Sequence, residues 1–431
     1  MLAIVLGCAG SLGCLVAGFR FFRRKRLIDD TPTSKVQGVF IGLVELKGSA
    51  ESDQPITSYL AGISCVQYLW QVEEHWSRTV TETYTDAQGR HRTRRRTQSG
   101  WTQVAGGSQS IPFYLRDDTG VIRIIPEGAS IRGTTVFNEA CSRSSPLYFG
   151  KGPVQEVPGS THRRRFRETA VPLHSMLYVI GQSRLRDDIV APEIAHDKGA
   201  PIFVISTGTE KQVARRYALS FLLLTALGLA AVTVGAAVWS SIERGSVTVQ
   251  PIVIAVGGFL GVLLVGWIWS VYNSLINLRN MVQQGRSQVD VQFKRRHDLI
   301  PNIARAVEAY RTHESETQRV IAAMRTQMEA TLPGEAGPDP EGITPMLKII
   351  VERYPELQAS ESFLRLHHTL IDTEQRIALA RDYLNSIATF HNDRLSIIPD
   401  RFVAAMARLR PQPLLTAAGF ERAPVRVDLA Q

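Results

Sequence analysis

The chain has 431 residues, of which 44% are hydrophobic, and its 49 Lys and Arg against 40 Asp and Glu give a formal net charge of +9. This length suggests two or three domains, and the composition is ordinary for a folded protein. The four cysteines form no CxxC pair, so neither a disulfide framework nor a zinc site is expected. No nucleic-acid recognition motif accompanies the positive charge, so a nucleic acid is not an expected partner.

Three apolar stretches predict transmembrane helices at residues 1–22, 217–240 and 252–272. The first stretch is followed, not preceded, by the basic run Arg23–Arg26, which is the reverse of a secretory signal. The positive-inside rule therefore predicts an uncleaved anchor with its N-terminus outside, and it places residues 23–216 in the cytoplasm. A short link separates the second and third stretches, so these two are expected to form a hairpin.

Residues 35–209 predict a β-rich cytosolic domain. Within it, Glu73–Tyr84 and Arg92–Val104 flank a polar tip and predict a long hairpin. Other runs rich in β-branched and aromatic residues are expected strands: Val39–Leu46, Cys65–Val80, Ile111–Leu115, Val121–Ile125 and Met176–Ile180.

Four segments of this β-rich region resemble a known domain: Tyr59–Val66, Pro112–Asp117, Val121-Ile122 and Pro201–Ser206. They are similar to the GIDE domain, which lies between two membrane spans in membrane-bound ubiquitin ligases and in bacterial relatives. In those ligases the resemblance implies a RING domain with eight Cys or His ligands after the second span. Here a third apolar stretch follows instead and no cysteine occurs after Cys141, so ligase chemistry is not expected.

The third apolar stretch continues into an amphipathic segment. Apolar or small residues recur there at alternating steps of three and four, which is typical of a helix packed along other helices: Leu275, Leu278, Val282, Gly285 and Val289. Asp298 is the expected N-cap of a further helix over 299–330, with Pro301 in its first turn.

The rest of the chain predicts three more helices. A short helix is expected at Pro345–Tyr354, a second short helix at Phe402–Leu409, and a disordered tail at 411–431. Between the short helices lies a long helix with a coiled-coil-like repeat: Phe363, Leu366, Leu370, Thr373, Ile377, Ala380, Leu384 and Ile387.

This helical region, residues 273–410, is similar to the LemA family. The likeness is carried by five segments: Tyr272–Leu275, Val289–Gln292, Lys294–Asn302, Tyr354–Leu357 and Thr373–Ala378. The resemblance implies an antiparallel α-helical bundle, and it implies no reaction. The expected fold class is thus a multi-domain membrane protein with transmembrane helices, a β-rich GIDE-like domain and a LemA-like bundle.

Motifs for catalysis are missing from the sequence. It holds no GxxxxGK[ST] loop, no HExxH and no GxSxG elbow. We therefore predict no catalytic, cofactor-binding or metal-ligating residues. One polar intrusion, Glu314, stands on an apolar helix stripe, with Arg296 or His297 as a candidate partner. It indicates either a register-setting polar layer, which we favour, or a polar pocket within the bundle.

Two basic clusters are candidate binding residues. Arg92, Arg94, Arg95 and Arg96 near the hairpin tip indicate either contact with anionic lipid or a merely solvated tip. The run Lys294-Arg295-Arg296 indicates either a surface for protein partners or a solvated helix face.

The predicted function is a non-catalytic scaffold or sensor at the cytosolic face of a bacterial inner membrane, with unidentified protein partners on the bundle. The alternatives are a membrane-stress or envelope-regulation protein whose GIDE-like domain binds membrane lipids, and ubiquitin-ligase-like activity by family name only. Self-association stays open, because the same stripes can serve internal packing or homo-oligomers. A transporter is disfavoured, since it would need polar residues within its spans.

Overall fold

Two structural units make up this protein. The computed structural model describes residues 2–85, 91–186, 188–189, 191–310 and 361–415. One unit, the β domain, comprises Ser34–Arg216, and the other, the helical body, comprises Met1–Thr33 together with Tyr217–Gln431. The β domain is therefore an insertion between the first helix and the remaining helices of one helical body.

The strands begin directly after the first helix. In chain order they are β1 (Thr33–Ser34), β2 (Gly42–Glu51), β3 (Ile56–Thr57), β4 (Ser64–Thr85), β5 (His91–Ser110), β6 (Phe113–Arg116), β7 (Val121–Ile124), β8 (Ser130–Arg132), β9 (Thr134–Ser142), β10 (Ser160–Pro172), β11 (Met176–Leu185), β12 (Pro192–Ala195) and β13 (Val204–Ser206).

A small barrel forms the first part of the β domain. Strand β2 pairs with β6 and β11, β6 pairs with β7, β7 pairs with β12, and β12 pairs with β11, which closes the ring. Each of these five strands thus pairs with two others of the ring. Buried aliphatic and aromatic side chains fill the core, among them Val44, Leu46, Leu115, Ile124 and Val179.

The second sheet carries a long hairpin, as the sequence predicts. Strand β4 has 22 residues and pairs with the 20-residue β5 from Gln67↔Ser110 to Thr85↔His91. On its other edge β4 pairs with β10 only as far as Trp76. Among the described strands, the segment Ser77–Thr85 thus pairs with β5 alone, and the hairpin continues as a two-stranded ribbon.

A buried ion pair holds a loop against the second sheet. Arg164 on β10 and Glu74 on β4 are both 0% exposed, and Arg164 Nη2 lies 2.9 Å from Glu74 Oε2. The guanidinium also donates to the carbonyl oxygens of Tyr148, Pro153 and Gln155 at 2.7–3.0 Å. Its Nε–H donates to Glu74 Oε2 as well, at 3.0 Å. All five of its N–H groups therefore have acceptors, which is the condition for burying an arginine without a large penalty.

The charge state of Glu74 follows from its partners. Burial alone would raise the pKa of this carboxyl, but hydrogen bonds from Ser160 and Arg164 outweigh burial and leave its pKa below the ordinary value. The carboxylate is consequently ionised when the domain is folded, and it forms a full ion pair with Arg164.

Glu168 anchors the start of Tyr59–Val66, one of the segments that resemble the GIDE domain. Its buried carboxylate on β10 accepts hydrogen bonds from the backbone N–H groups of Tyr59, Leu60 and Ala61 at 2.8–3.1 Å. Tyr59 in turn stacks on Trp70 with ring centroids 4.4 Å apart. The Tyr59–Ala61 loop is thus fixed to the sheet by main-chain hydrogen bonds and by aromatic packing.

The helices lie mainly in the helical body. They are α1 (Leu2–Asp30), α2 (Pro146–Gly150, within the β domain), α3 (Glu210–Arg244), α4 (Val249–Tyr310), α5 (Glu361–Ser396) and α6 (Asp400–Met406). Three segments are long and apolar enough to cross a membrane by length and composition: Ile4–Asp30, Glu210–Glu243 and Val249–Leu299. The second and third contain the predicted spans 217–240 and 252–272, and the first overlaps the predicted span 1–22 from Ile4 onward.

Helices α4 and α5 pack along the predicted apolar stripes. Leu275, Leu278 and Val282 of α4 are fully buried, and so is Ile387 of α5. A Cβ atom at Gly285 would lie 3.2 Å from Leu384, so a small residue is needed where the two helices approach. The stripe on α5 is confirmed from Leu370 to Ile387, while the side chain of Phe363 lies outside the described residues.

The predicted helix boundary at Asp298 is wrong. Helix α4 runs unbroken for 62 residues with Pro301 in its interior, and Asp298 is an exposed residue within it, not an N-cap. Asn302 donates from its side chain to the carbonyl of Asp298, which supplies one local acceptor–donor pair beside the proline. Continuity with the preceding helix outweighs the local breaking signal of a single proline.

Other predictions fall partly or wholly outside the described residues. The helix over 299–330 beyond Tyr310, the helix Pro345–Tyr354 and Glu314 all belong to the segment 311–360, which the structure does not describe. The expected disordered tail starts with five described residues that lie along α5. Asn385 exchanges two hydrogen bonds with the backbone of Leu415, and Asn392 does the same with Gln412.

We predict that replacing Arg164 with Gln destabilises the β domain by about 3–5 kcal/mol, because it leaves the buried Glu74 carboxylate without its counter-charge. The matched control is Arg165→Gln on the same strand, since Arg165 pairs with Glu73 but both side chains are about one-third exposed. That exposed pair should contribute about 1 kcal/mol or less. Urea unfolding followed by tryptophan fluorescence measures both, and equal losses would contradict the importance assigned to Arg164.

Candidate functional site

A buried charge cluster joins four parts of the helical body. Arg26 of α1 forms a two-pronged pair with Asp400 at the start of α6, at 3.0 and 3.2 Å. Arg394 of α5 lies 2.5 Å from Asp400 and 2.8 Å from Asp30 of α1. Ser274 of α4 donates a hydrogen bond to the other oxygen of Asp30. We call Arg26, Asp30, Arg394 and Asp400, with Ser274, the charge cluster.

The cluster is balanced and largely shielded from water. Asp30 and Asp400 are 3% and 5% exposed, and the side chains of Arg26 and Arg394 are 12% and 17% exposed. Two arginines face two aspartates, and this pairing lowers the cost of removing the four groups from water. The cluster therefore determines where α1 and α6 lie on the bundle, without an obvious catalytic geometry.

Apolar packing continues from the cluster along α4. Val403 and Ala404 of α6 are buried against Val271 and Leu275 of α4, with Trp267 and Ile268 packed around them. The acid at the first position of α6 also suits the positive end of a helix dipole. The short helix is thus held both by an ion pair and by an apolar contact.

The three basic residues Lys294, Arg295 and Arg296 differ in their exposure to solvent. Lys294 and Arg295 are exposed, whereas Arg296 is only 7% exposed. Arg296 lies 3.6 Å from Glu374 of α5 and 5.5 Å from the ring centre of Phe293. Arg296 therefore takes part in the contact between α4 and α5, which leaves Lys294 and Arg295 as the exposed members of the predicted surface. Arg296 follows Val289 by seven residues and so continues the stripe of α4, and that spacing was the signal available.

The arginines near the tip of the β4–β5 ribbon lie on two different faces of it. Successive side chains of a strand lie on opposite faces, so Arg94 and Arg96 share one face with their cross-strand partners Glu82 and Val80. Arg95 lies opposite Thr81 and belongs to the other face. Arg94, Arg95 and Arg96 are all exposed, and the side chain of Arg92 lies outside the described residues.

A cleft of about 410 Å³ lies in the β domain where β2 and β11 meet the start of α3. Two of the charged groups that line it, Lys47 and Glu210, pair with each other. Lys47 lies 2.8 Å from Glu210 and 3.3 Å from Glu45, and the buried Glu45 accepts a hydrogen bond from Tyr178 at 2.8 Å. These contacts join the barrel to the helix that leaves the domain.

Burial lowers the pKa of two histidines of α5, His367 and His391. The ring of His368 lies 6.2 Å from that of His367 between centroids. Within the described part of the chain there is no group of three or more His, Cys, Asp or Glu that could hold a metal ion.

Sequence reasoning missed the charge cluster. Its charged members are separated by up to 374 positions along the chain, and they follow no motif or repeat. The accessible signals were weak: an acid, Asp30, shortly after a basic run, and Asp400 at the start of a short helix. Neither indicates its partner.

Comparison with known proteins supports both resemblances. Residues 285–429 match the model of the LemA family, and residues 81–239 match a GIDE model described as an E3 ubiquitin ligase. The Protein LemA of Metamycoplasma hominis is 27% identical over 180 residues, which is 39% of this chain and 81% of the relative. No solved structure matches significantly. The likeness of the C-terminal part to LemA and of the N-terminal part to GIDE, expected from the sequence, is confirmed.

We predict that Asp400→Asn lowers the stability of the helical body by about 3 kcal/mol, because the change removes the counter-charge of Arg26 and one of the two aspartates that face Arg394. Asp393→Asn is the matched control: Asp393 lies one to two turns earlier and is exposed, so its loss should fall within about 0.5 kcal/mol. Helix content followed by circular dichroism during denaturation in detergent micelles provides the comparison. Similar effects of the two changes would refute a structural role for the cluster.

Proposed function

We propose that this membrane-associated protein is a non-catalytic scaffold or sensor that holds protein partners on its LemA-like bundle. The observation that carries the proposal is the continuity of α4, whose first part is apolar enough to cross a membrane and whose last part packs against α5. A helix without interruption transmits position and orientation from the membrane to the bundle. The charge cluster adds the first apolar helix to the same body.

The proposed topology places the β domain and the LemA-like bundle in the cytoplasm, with the N-terminus outside. Basic residues support it, because Arg23–Arg26 follow the first span and Lys211, Arg215 and Arg216 precede the second. The short link between α3 and α4 suits an outer turn. The likeness to a LemA protein of a bacterium supports a bacterial inner, or plasma, membrane as the location.

A non-catalytic role is also the proposal for the β domain, despite the ligase description of the matching family. RING chemistry depends on zinc ligands, and the chain holds four cysteines in total. In the described residues Cys65 is buried, Cys141 is half-buried, and Cys8 and Cys14 lie in the first apolar helix. What this domain shares with the GIDE family is therefore proposed to be its fold and its place beside a membrane.

The partner surface is expected at the exposed pair Lys294 and Arg295. We predict that Lys294→Glu with Arg295→Glu reduces stoichiometric co-purification of partners from cross-linked membranes about tenfold, equivalent to about 1.4 kcal/mol. The control Lys294→Arg with Arg295→Lys preserves the charge and should retain the same partners. Quantitative mass spectrometry of the captured proteins gives the readout.

Two outcomes would count against the scaffold. Equal recovery of the same proteins with the charge-reversed variant would exclude this surface. Absence of any stoichiometric partner of the native protein, together with turnover of a substrate by the purified protein, would exclude the proposed role itself.

A second candidate function is binding of anionic lipid by the β domain. The face-specific arrangement of Arg94 and Arg96, on a ribbon that extends beyond the sheet, favours it. Each basic residue near an anionic membrane surface contributes about 1 kcal/mol. Two such residues on one face give a directional contact that a randomly solvated tip would lack.

We predict that amides of the ribbon exchange hydrogen more slowly in nanodiscs that contain anionic lipid than in neutral ones. Arg94→Gln with Arg96→Gln should remove this protection, because about 2 kcal/mol of attraction is lost. Arg95→Gln, on the opposite face, is the matched control and should retain most of it. Hydrogen–deuterium exchange of the full-length protein measures all variants, and identical behaviour of the two faces would reject lipid docking.

A further inference from the structure

Helix α6 lies beside the part of α4 where the apolar run ends. Its buried side contacts α4 at Val271 and Leu275, with Trp267 and Ile268 packed around the contact. Trp269 and Tyr272 on the same stretch of α4 are exposed, at 68% and 41%. Tryptophan and tyrosine concentrate where a spanning helix passes from hydrocarbon to headgroups.

The first helix gives an independent marker of the same level. Its apolar run ends at the basic residues that begin with Arg20 and Arg23, and Arg26 pairs with Asp400 of α6. At about 1.5 Å per residue, Arg26 lies only about 6 Å along the helix beyond Phe22. Both α1 and α4 therefore place α6 where the apolar segments end, and all three belong to one structural unit.

The outward side of α6 and of the turn before it is apolar. Ile397, Ile398, Phe402 and Met406 are 53%, 67%, 64% and 75% exposed. Phe402 and Met406 are four residues apart and share a helix face. Val403 and Ala404, which pack against α4, occupy the other side of α6. Ion pairing through Asp400 fixes which side faces outward.

Exposed large apolar side chains are concentrated at the membrane-proximal end of the bundle. Among the described residues from Asn273 to Leu415, the others classed as exposed are Val291, Leu414 and Leu415. Scattered exposed apolar residues of this kind are ordinary for a surface in water. The apolar patch lies at the same height along α4 as the end of the apolar segments. This position indicates that lipid covers the patch.

We infer that Ile397–Met406 is an interfacial element that inserts Ile397, Ile398, Phe402 and Met406 into the headgroup–acyl boundary of the membrane that holds the spans. Arg401 and Arg408 are exposed and flank the patch, so their guanidinium groups can contact lipid phosphates. This inference goes beyond the scaffold proposal, and it requires only that the apolar part of α4 crosses the bilayer. Failure of partner capture would leave it unaffected.

Oxidation of native methionines tests the burial of the patch without any substitution. Met406 and Met176 have similar exposures of 75% and 66%, and Met281 is buried at 8%. In nanodiscs, hydroxyl radicals generated in water should oxidise Met176 readily and leave Met406 protected to nearly the level of Met281. Oxidation of Met406 at the rate of Met176 would overturn the inference.

A depth measurement distinguishes lipid from a second copy of the chain. In a variant with Ala at Cys8, Cys14, Cys65 and Cys141, a single Phe402→Cys is labelled with an environment-sensitive fluorophore and placed in nanodiscs with brominated acyl chains. We expect blue-shifted emission that the brominated lipid quenches about twofold, as for a group at the acyl boundary. Lys294→Cys, about 33 Å beyond Tyr272 along α4, is the exposed control and should show neither effect.

Each other result contradicts the proposal. Water-like, unquenched emission at Phe402 means that the patch faces solvent. Blue-shifted emission without quenching means that protein, not lipid, covers it. If the cysteine-free variant does not fold, the methionine oxidation in the native chain decides alone.

Discussion

The charge cluster is the interaction on which the arrangement of the helical body depends. Two arginines and two aspartates are removed from water together, and each is compensated only while the others stay in place. Arg26 and Asp30 belong to α1, and Asp400 belongs to α6. The cluster therefore fixes α1 and α6 to the same part of α4 and α5. Apolar packing alone would be less selective, since it tolerates sliding of one helix along another.

Membership of α1 in the helical body changes how the β domain is held. The chain leaves that body at Thr33 and returns to it at Tyr217, so the domain is attached through both of its ends and not suspended from one. Inside the domain, Arg164 and Glu168 use ionic and main-chain hydrogen bonds to fix loops that have few apolar residues of their own.

The sequence predicted features that repeat and missed those that do not. The stripe from Leu370 to Ile387 and the hairpin of β4 and β5 were confirmed because their periods, 3.6 and 2, are written in neighbouring residues. The predicted helix start at Asp298 is wrong, because it relied on a single proline and did not include the packing on either side of it. For Arg296 the type of residue suggested a surface, although its helical position faces α5. The charge cluster had no local pattern at all.

These outcomes bear on where activity is to be sought. The buried polar groups described above have partners whose geometry explains their burial: Glu74 with Arg164, Arg296 with Glu374, and Asp400 with two arginines. A catalytic site instead needs polar groups that keep a position open for substrate. Among the described residues, the arginine faces of the ribbon, the pair Lys294 and Arg295, and the apolar side of α6 are exposed. This division between buried groups that set position and exposed groups that are open to contact supports the proposal of a protein that holds partners and membrane together.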